Sequence, residues 1–488
     1  VVEKFLNFVI KHNDLKKSMF NLPLTKNITT VFEGVLSDTI VLHINHTLTD
    51  VYAFNAYMEK SLNAEIIFIG VPYNNKYYVP EYTHLYSLRS DIPFVPYENG
   101  ELSKDIKPET DYIDLIVNQI LYAVNKYILP KIDRKKVIIV QDGGYTSFFS
   151  LDNVTMNSLY SHKNFLGVVE QTSSGTLLLK QHYDRSSYKY PIISIAKSEI
   201  KSAIEAHFIS DSVFSSLQEI FKRMGLFLSF KSVVIAGYGI IGRSLAFLLR
   251  NASVDVLIKE IDPILIKLAR KEGFQCKNTI TREDFEEATL YIGCTGQESF
   301  GFMDLDAFLK SNEKCFYLAS GSSKRVEFWQ LIKVLEESYY RKTKLPSINT
   351  VLRNVLDFSI EDTEFGLKYN FDLGLGNVKT LYLLGEGFPI NFYNPRNDSV
   401  PDRAIDLTQS TLMHSIILLR TEYSKLKKDL DFYQNNIYIG DTIIDENTLL
   451  NTWMSLNKIS QDYSYPLERF GLHPLRGYLM TQRYKLLK

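Results

Sequence analysis

Six consecutive residues, Gly237-Tyr238-Gly239-Ile240-Ile241-Gly242, carry the sharpest chemical pattern in the chain. A G-x-G-x-x-G run cradles phosphate only where it leaves a strand and opens a helix, because free helix N–H groups and the positive end of the helix dipole then face the anion. The apolar run 233–236 precedes the glycines and the helical run 244–249 follows them. Gly237 is expected to allow the tight turn, Gly239 to let the backbone approach a pyrophosphate and Gly242 to permit close helix packing, with Ile240 and Ile241 offering their amides. A second strand, 255–259, ends at Glu260, whose carboxylate can accept ribose hydroxyl protons and would repel a 2′-phosphate. NAD is therefore favoured over NADP. An ordinary glycine turn is the competing reading, but strand, turn, helix, strand and acid occur here in order.

Such a site needs a scaffold, and the rest of the chain supplies one. Short β-branched runs at 39–44, 65–70, 136–140, 290–294 and 315–318 alternate with amphipathic stretches at 51–62, 111–128 and 205–228. That alternation predicts parallel sheets with crossover helices. A strand at 380–384 and a turn at 385–389 close the dinucleotide unit, and the helical run 410–426 leads back to the first layer. The fold class is therefore α/β in two domains, a Rossmann NAD-binding domain (205–395) inserted in a discontinuous α/β substrate-binding domain (1–204 and 396–450), with a C-terminal extension (451–488).

Composition narrows the partners. In 488 residues, 55 Lys and Arg nearly balance 56 Asp and Glu, so no global field favours nucleic acid or an anionic membrane. No uninterrupted apolar run reaches membrane-spanning length. Three cysteines without a C-x-x-C pair argue against a disulfide framework and a cysteine-rich metal site, and for a reducing compartment. We expect a soluble, cytoplasmic protein with a small-molecule partner and no metal. The chain opens on Val1 rather than Met, so its first residue need not be the native one.

Gly-Tyr-Gly followed by Glu260-Ile261-Asp262-Pro263 resembles the S-adenosylhomocysteine hydrolase family more than a generic dehydrogenase. Further matches stand in the family's order from about Asp142 to Leu418: Asp142-Gly143-Gly144, Glu170-Gln171-Thr172-Ser173-Ser174-Gly175, Pro191 with Lys201 ten residues on, Thr295-Gly296, Gly321, and Glu386-Gly387 with Asn391. The resemblance implies tightly held NAD used as a recycled oxidant. It oxidises the 3′-hydroxyl of an adenosine-type ribose, so that the C4′ proton becomes acidic, the C5′ substituent leaves, water adds and the redox change is reversed.

By the same resemblance, Asp142 would act as an acid/base on the ribose side, and Lys201 would ease deprotonation of the 3′-hydroxyl. Thr172, Ser173, Ser174, Thr295 and Gly296 would face NAD, and Asn391 would reach the nicotinamide carboxamide. Two of these assignments have support from the residues themselves. Asp142 follows a strand directly, at the end where α/β sites gather, although a plain turn aspartate is common there. A lysine near a carboxylate and a cationic ring has the electrostatic setting of a tunable base, against the alternative of a solvated helix lysine. His46 and Asp50 echo the family's His-x-Thr-x-Glu, with Leu48 in place of the Thr.

Other positions depart from the family. The family's Asp becomes Glu205, its following Asn becomes Ala206, and its Cys near the nicotinamide becomes Ser210. Its ribose-facing Glu falls on Gln171, an amide that cannot take a proton, with Glu170 beside it as a candidate replacement. Two histidines are replaced within Gly321-Ser322-Ser323 and near Asn397-Asp398-Ser399, where Arg396, Asp398, Asp402 and Arg403 supply charge instead. Each lost acid or base costs about a hundred- to ten-thousand-fold in rate, so the substrate need not be S-adenosylhomocysteine, and a non-catalytic NAD-binding sensor is the alternative. The end of the chain, with Arg483, Tyr484 and Lys485, faintly echoes a family tail that reaches a neighbouring subunit's NAD, which implies a homo-oligomer, a dimer or tetramer.

Overall fold

The computed structural model describes residues 22–71, 97, 98, 101, 102, 112–196, 198, 200–228, 232–322, 325–340, 352, 354–393, 400, 402–432, 437–439 and 446–457. The chain divides into two compact units, one formed by Val1–Glu205 with Val400–Lys488, the other by Ala206–Ser399. Each is α/β, as the alternating sequence pattern predicts.

In the first unit, β1 (Thr39–His46), β2 (Glu65–Val71), β3 (Lys136–Gln141), β4 (Phe165–Glu170) and β5 (Ile192–Ser194) form a parallel sheet in the order β5-β4-β3-β1-β2, with the short strand Ile437–Ile439 beyond β5. These strands read as apolar runs because parallel sheets are covered on both faces. One core gathers Ile40, Leu42 and Ile44 with Ile116, Ile120, Val137 and Ile139. The chain reverses direction across the sheet between β1 and β3, and open α/β sheets bind ligands outside the carboxyl ends of the strands at such a reversal. His46 and Asp142 stand at those two strand ends. The returning helix, Asp402–Thr421, ties the two chain segments together: Asp406 accepts hydrogen bonds from Leu24 N (2.8 Å), Thr25 N (3.0 Å) and Thr25 Oγ1 (2.8 Å) at the start of helix Pro23–Val31.

In the second unit, β6 (Ser232–Ala236), β7 (Asp255–Lys259), β8 (Gln275–Lys277), β9 (Ala288–Gly293), β10 (Cys315–Ser320), β11 (Asp357–Thr363), β12 (Gly366–Asp372) and β13 (Val378–Leu384) form one sheet. Its order is β8-β7-β6-β9-β10-β13-β12-β11. The first six strands of that order run parallel and reproduce the 3-2-1-4-5-6 dinucleotide arrangement, with the reversal between β6 and β9. β12 and β11 add antiparallel to the β13 edge.

Some boundaries differ from the sequence reading. Residues 451–456 are not part of a separate extension but the end of helix Glu446–Leu456, where Trp453 is buried and its Nε1 donates to Arg403 O at 2.5 Å. The stretch read as one helix from 410 to 426 is two, Asp402–Thr421 and Tyr423–Phe432. Among the described residues no helix is long and apolar enough to cross a membrane.

Candidate functional site

The glycine turn of the second unit meets each steric demand separately. Gly237 has φ +93°, and a Cβ there would lie 2.9 Å from Cys294 O, so only glycine fits where the turn touches the β9 loop. At Gly242 a Cβ would come within 2.0 Å of Gly237 O, so helix Ile240–Asn251 can approach the turn only without a side chain at that point. A Cβ on Gly239 would meet nothing within 4 Å. The open space therefore lies over Gly239, where the first-turn amides of Ile240, Ile241 and Gly242 lack intrahelical acceptors. Tyr238 between the glycines is fully buried, and its hydroxyl donates to Glu272 Oε2 at 2.7 Å while Arg243 pairs with the same carboxylate. This residue plugs the turn into its domain.

Glu260 accepts hydrogen bonds from Tyr238 N (2.6 Å), Ile261 N (2.7 Å) and Asp262 N (2.9 Å). Its carboxylate thus splints the turn, and since two oxygens offer about four acceptor sites, room remains for one ribose hydroxyl. Across the β6–β9 reversal, Thr295 N and Gly296 N both donate to Glu327 Oε1 at 2.7 Å, and Thr295 Oγ1 donates to Glu327 Oε2 at 2.9 Å. Ser322 Oγ, which also accepts from Gly296 N, donates to the same carboxylate. Burial raises the Glu327 carboxyl above its ordinary range, and the donors around it oppose that shift. Asn391 is buried, with its backbone carbonyl accepting from Ser212 Oγ at 3.5 Å.

In the first unit, the strand ends bring together His46, Asp142, Glu170 and Gln171. His46 Nδ1 lies 3.2 Å from Val71 O, and Asp142 N donates to Ile44 O across the reversal. Glu170 is fully buried and accepts from Gly143 N, Gly144 N, Thr172 N and Thr172 Oγ1 at 2.7–3.0 Å. Burial, and then the Asp142 charge, push its carboxyl up to about 7. This corrects the expectation of Glu170 as a ligand-binding acid, since its oxygens are committed to loops of its own unit. Thr172 is also a cap: its Oγ1 accepts from Gly175 N at the start of helix Ser173–Arg185 and donates its proton to Glu170. Ser173 is exposed, and the buried Ser174 Oγ has no partner among the described residues.

Lys201 Nζ lies 2.8 Å from Glu205 Oε2, one turn on, and that oxygen also accepts from Thr408 Oγ1 at 3.0 Å. Asp50 Oδ2 accepts from Gln409 Nε2 at 2.6 Å. Successive residues of the returning helix thus hold two of the candidate acids.

Residues 210–327 match the family model described as "S-adenosyl-L-homocysteine hydrolase, NAD binding domain". Among curated proteins, the chain is 23% identical over 299 residues to an adenosylhomocysteinase of Thermotoga maritima, covering 61% of this chain and 65% of that one. It is 27% identical over 162 residues to that of Thermoplasma volcanium (33% and 37%). It is also 28% identical over 144 residues to an S-inosyl-L-homocysteine hydrolase of Methanocaldococcus jannaschii (30% and 33%). Over these residues the chain is similar to this family. Its second unit carries an NAD-binding domain similar to that of these hydrolases, while the matched segments span less than two thirds of each of these relatives' own length.

Against that hydrolase background, the departures have local explanations. Ser210 is fully buried, and its one hydroxyl proton is shared between Ala206 O (2.9 Å) and Ile241 O (3.2 Å), which fastens its helix to the first turn after the glycines. Ser322 stands one residue after Gly321 and serves the Glu327 cluster. Arg396, Asp398, Ser323, Asn397, Ser399, Arg483 and Lys485 lie outside the described residues. Sequence reasoning missed Glu327, Thr408, Gln409 and the polar pair His43 and Asn45 on β1. The last two were readable, because two polar residues inside an eight-residue buried strand require partners.

Proposed function

We propose that the chain is an NAD-dependent enzyme of the adenosylhomocysteinase type, acting on a nucleoside that carries a leaving group at C5′. The observation that carries this reading is the retention of a complete glycine turn with Glu260 in the same chain as Asp142 and the Lys201–Glu205 pair. When bound, NAD supplies reversible oxidation of a ribose hydroxyl, which acidifies the neighbouring C–H. As the hydride leaves, the hydroxyl proton passes to the Lys201 amine, which Glu205 holds at 2.8 Å, and it is returned when the redox step reverses; Asp142 at the end of β3 acts as acid/base on the ribose side. His46 and Asp50 orient the nucleoside. The first-turn amides Ile240, Ile241 and Gly242 hold pyrophosphate, Glu260 holds the adenosine ribose of the cofactor, and Asn391 holds its carboxamide.

The base is left open between adenine and hypoxanthine, since the curated relatives named above include hydrolases of both S-adenosyl and S-inosyl thioethers. The test is absorbance in the reduced-nicotinamide band when NAD-loaded protein meets adenosine, inosine and their homocysteine thioethers. Reduction by at least one nucleoside, with thioether cleavage, is expected, and Lys201→Ala should keep NAD while losing its reduction. Silence across the panel refutes the enzymatic reading and favours a non-catalytic NAD sensor, the reading that Ala206 and Ser210 motivate. We further propose a homo-oligomer, dimer or tetramer, to be checked by light scattering.

A further inference from the structure

A run of side-chain hydrogen bonds in the first unit has its direction set by a single backbone donor. His46 N–H can only donate, and it donates to Asn45 Oδ1 at 2.7 Å. Asn45 must therefore turn its Nδ2 the other way, where it lies 3.2 Å from His43 Nε2 and 3.2 Å from Gln171 Oε1. The two hydrogens on Nδ2 serve both acceptors. His43 Nε2 then carries no proton, so the hydrogen sits on Nδ1 and is donated to Asn55 Oδ1 at 2.6 Å. A second proton on His43 would set N–H against N–H, and burial, opposed by the bond to Asn55, lowers its pKa to about 4. At Gln171 the same logic fixes the amide with its oxygen inward. The outward group is then Nε2, which has no bond to any other described residue, while Gln171 N is anchored to Gln141 O at 3.0 Å at the ends of β3 and β4.

We propose that Gln171 presents an N–H donor to the ligand of the strand-end site, so that this site reads the lone pairs of a sugar oxygen and does not require its proton. His43, Asn45 and Asn55 are positioning residues that hold this polarity. The inference rests on the nucleoside reading above and deepens it: the site accepts an ether or carbonyl oxygen where a carboxylate would demand a hydroxyl. A hydroxyl fits both kinds of site, so adenosine itself does not distinguish them.

The discriminating probes are adenosine, 2′-O-methyladenosine and 3′-O-methyladenosine, with affinities measured on the full chain and on two variants. Gln171→Glu keeps the acceptor toward Asn45 and replaces the outward donor by an acceptor. Asn45→Asp removes the donor that holds Gln171, so its amide turns over and shows oxygen outward. For at least one ether, the affinity relative to adenosine should fall about tenfold or more in both variants, the scale of one hydrogen bond to a charged or unpaired group. Taking ratios cancels the bulk of the methyl group. Equal ratios in all three proteins for both ethers would overturn the proposal. Selective ¹⁵N-histidine NMR of the ligand-free protein tests the relay independently: His43 should be neutral and protonated on Nδ1 at pH 6, and an Nε2–H tautomer or an imidazolium overturns it. Failure of the unmodified chain to bind adenosine refutes the nucleoside reading and the ligand half of this inference, whereas the tautomer is read without any ligand.

Discussion

Replacing Gly239 by alanine should abolish tight NAD binding and leave the fold almost untouched, and Gly242→Ala should do the reverse in kind. At Gly239 the backbone has φ −67° and ψ −169°, which any residue adopts, and the added methyl meets no atom within 4 Å. The stability terms nearly cancel. Reduced freedom of the unfolded chain contributes about 0.4–1 kcal/mol, and alanine is poorer than glycine as a helix N-cap by about the same amount. The melting temperature should move by no more than about 3 °C. The methyl does fill the space over amides 240–242, where pyrophosphate oxygens have to sit. Losing one or two charge-assisted bonds of about 1.5–3 kcal/mol each weakens Kd roughly ten- to ten-thousandfold. At Gly242 the Cβ would stand 2.0 Å from Gly237 O. That is roughly 1 Å or more inside contact, so helix and turn must part at a cost of about 1–3 kcal/mol or more. Calorimetric titration with NAD and thermal melts separate the two effects. A Gly239→Ala protein that binds NAD as the parent does, or melts as far below it as Gly242→Ala, would refute the assignment of the open space to the cofactor.

Three further outcomes follow from buried groups. His43 is held near pKa 4 in the fold, so between pH 6.5 and 4 the unfolded chain takes up a proton that the native one refuses. Stability should fall with acidification in that window by about 3 kcal/mol from this group, and urea melts of His43→Gln should show a correspondingly shallower pH dependence. Glu327→Gln sets an amide NH₂ among donors, so it should cost about 2 kcal/mol or more and weaken NAD at least about tenfold by loosening Thr295 and Gly296; unchanged NAD affinity would mean that this loop does not touch the cofactor. Asp406→Ala strands Leu24 N, Thr25 N and Thr25 Oγ1. It should cost about 3 kcal/mol, with amide exchange rising first in helix Pro23–Val31.

What was legible in the sequence was what is local. The β6–turn–helix–β7 unit declares itself within thirty residues because its glycines, strands and acid are close in sequence, and Gly242 against Gly237 shows one such local demand directly. β4 was missed because Gly167 interrupts its apolar run, and that glycine exists for a distant reason: a Cβ would meet Pro191 O at 2.1 Å. The β11–β12 pair was missed although Leu367–Asp372 of β12 alternates apolar and polar residues; β11 is half exposed and rich in acids, so no buried run marks the pair. The candidate site followed the same rule. Lys201 and Glu205 are one helical turn apart and could be paired by counting, whereas Thr408 reaches Glu205 and Asn45 reaches Gln171 across 203 and 126 residues. Nothing in a single sequence ranks such partners, although His43 and Asn45 inside a buried strand announce that partners exist.

The two buried glutamates solve one physical problem in the two units. A loop that must receive a ligand cannot rely on that ligand to order it, and its amides cannot all point at empty space. Glu170 gathers Gly143, Gly144 and Thr172, and Glu327 gathers Thr295 and Gly296, each carboxylate satisfying several loop donors at once. In each unit a glycine makes room for it: a Cβ on Gly175 would lie 2.2 Å from Glu170 Oε1, and one on Gly293 would lie 2.5 Å from Glu327 Oε2. Burial raises both carboxyls and the donors oppose that shift, while the hydrogen bonds themselves tie the loop residues together. The same commitment removes these acids from chemistry, because their oxygens are already occupied. On the proposed reading, proton transfer then falls to Asp142 at a strand end and to Lys201 beside Glu205, and the amide of Gln171 is left to recognise rather than to react.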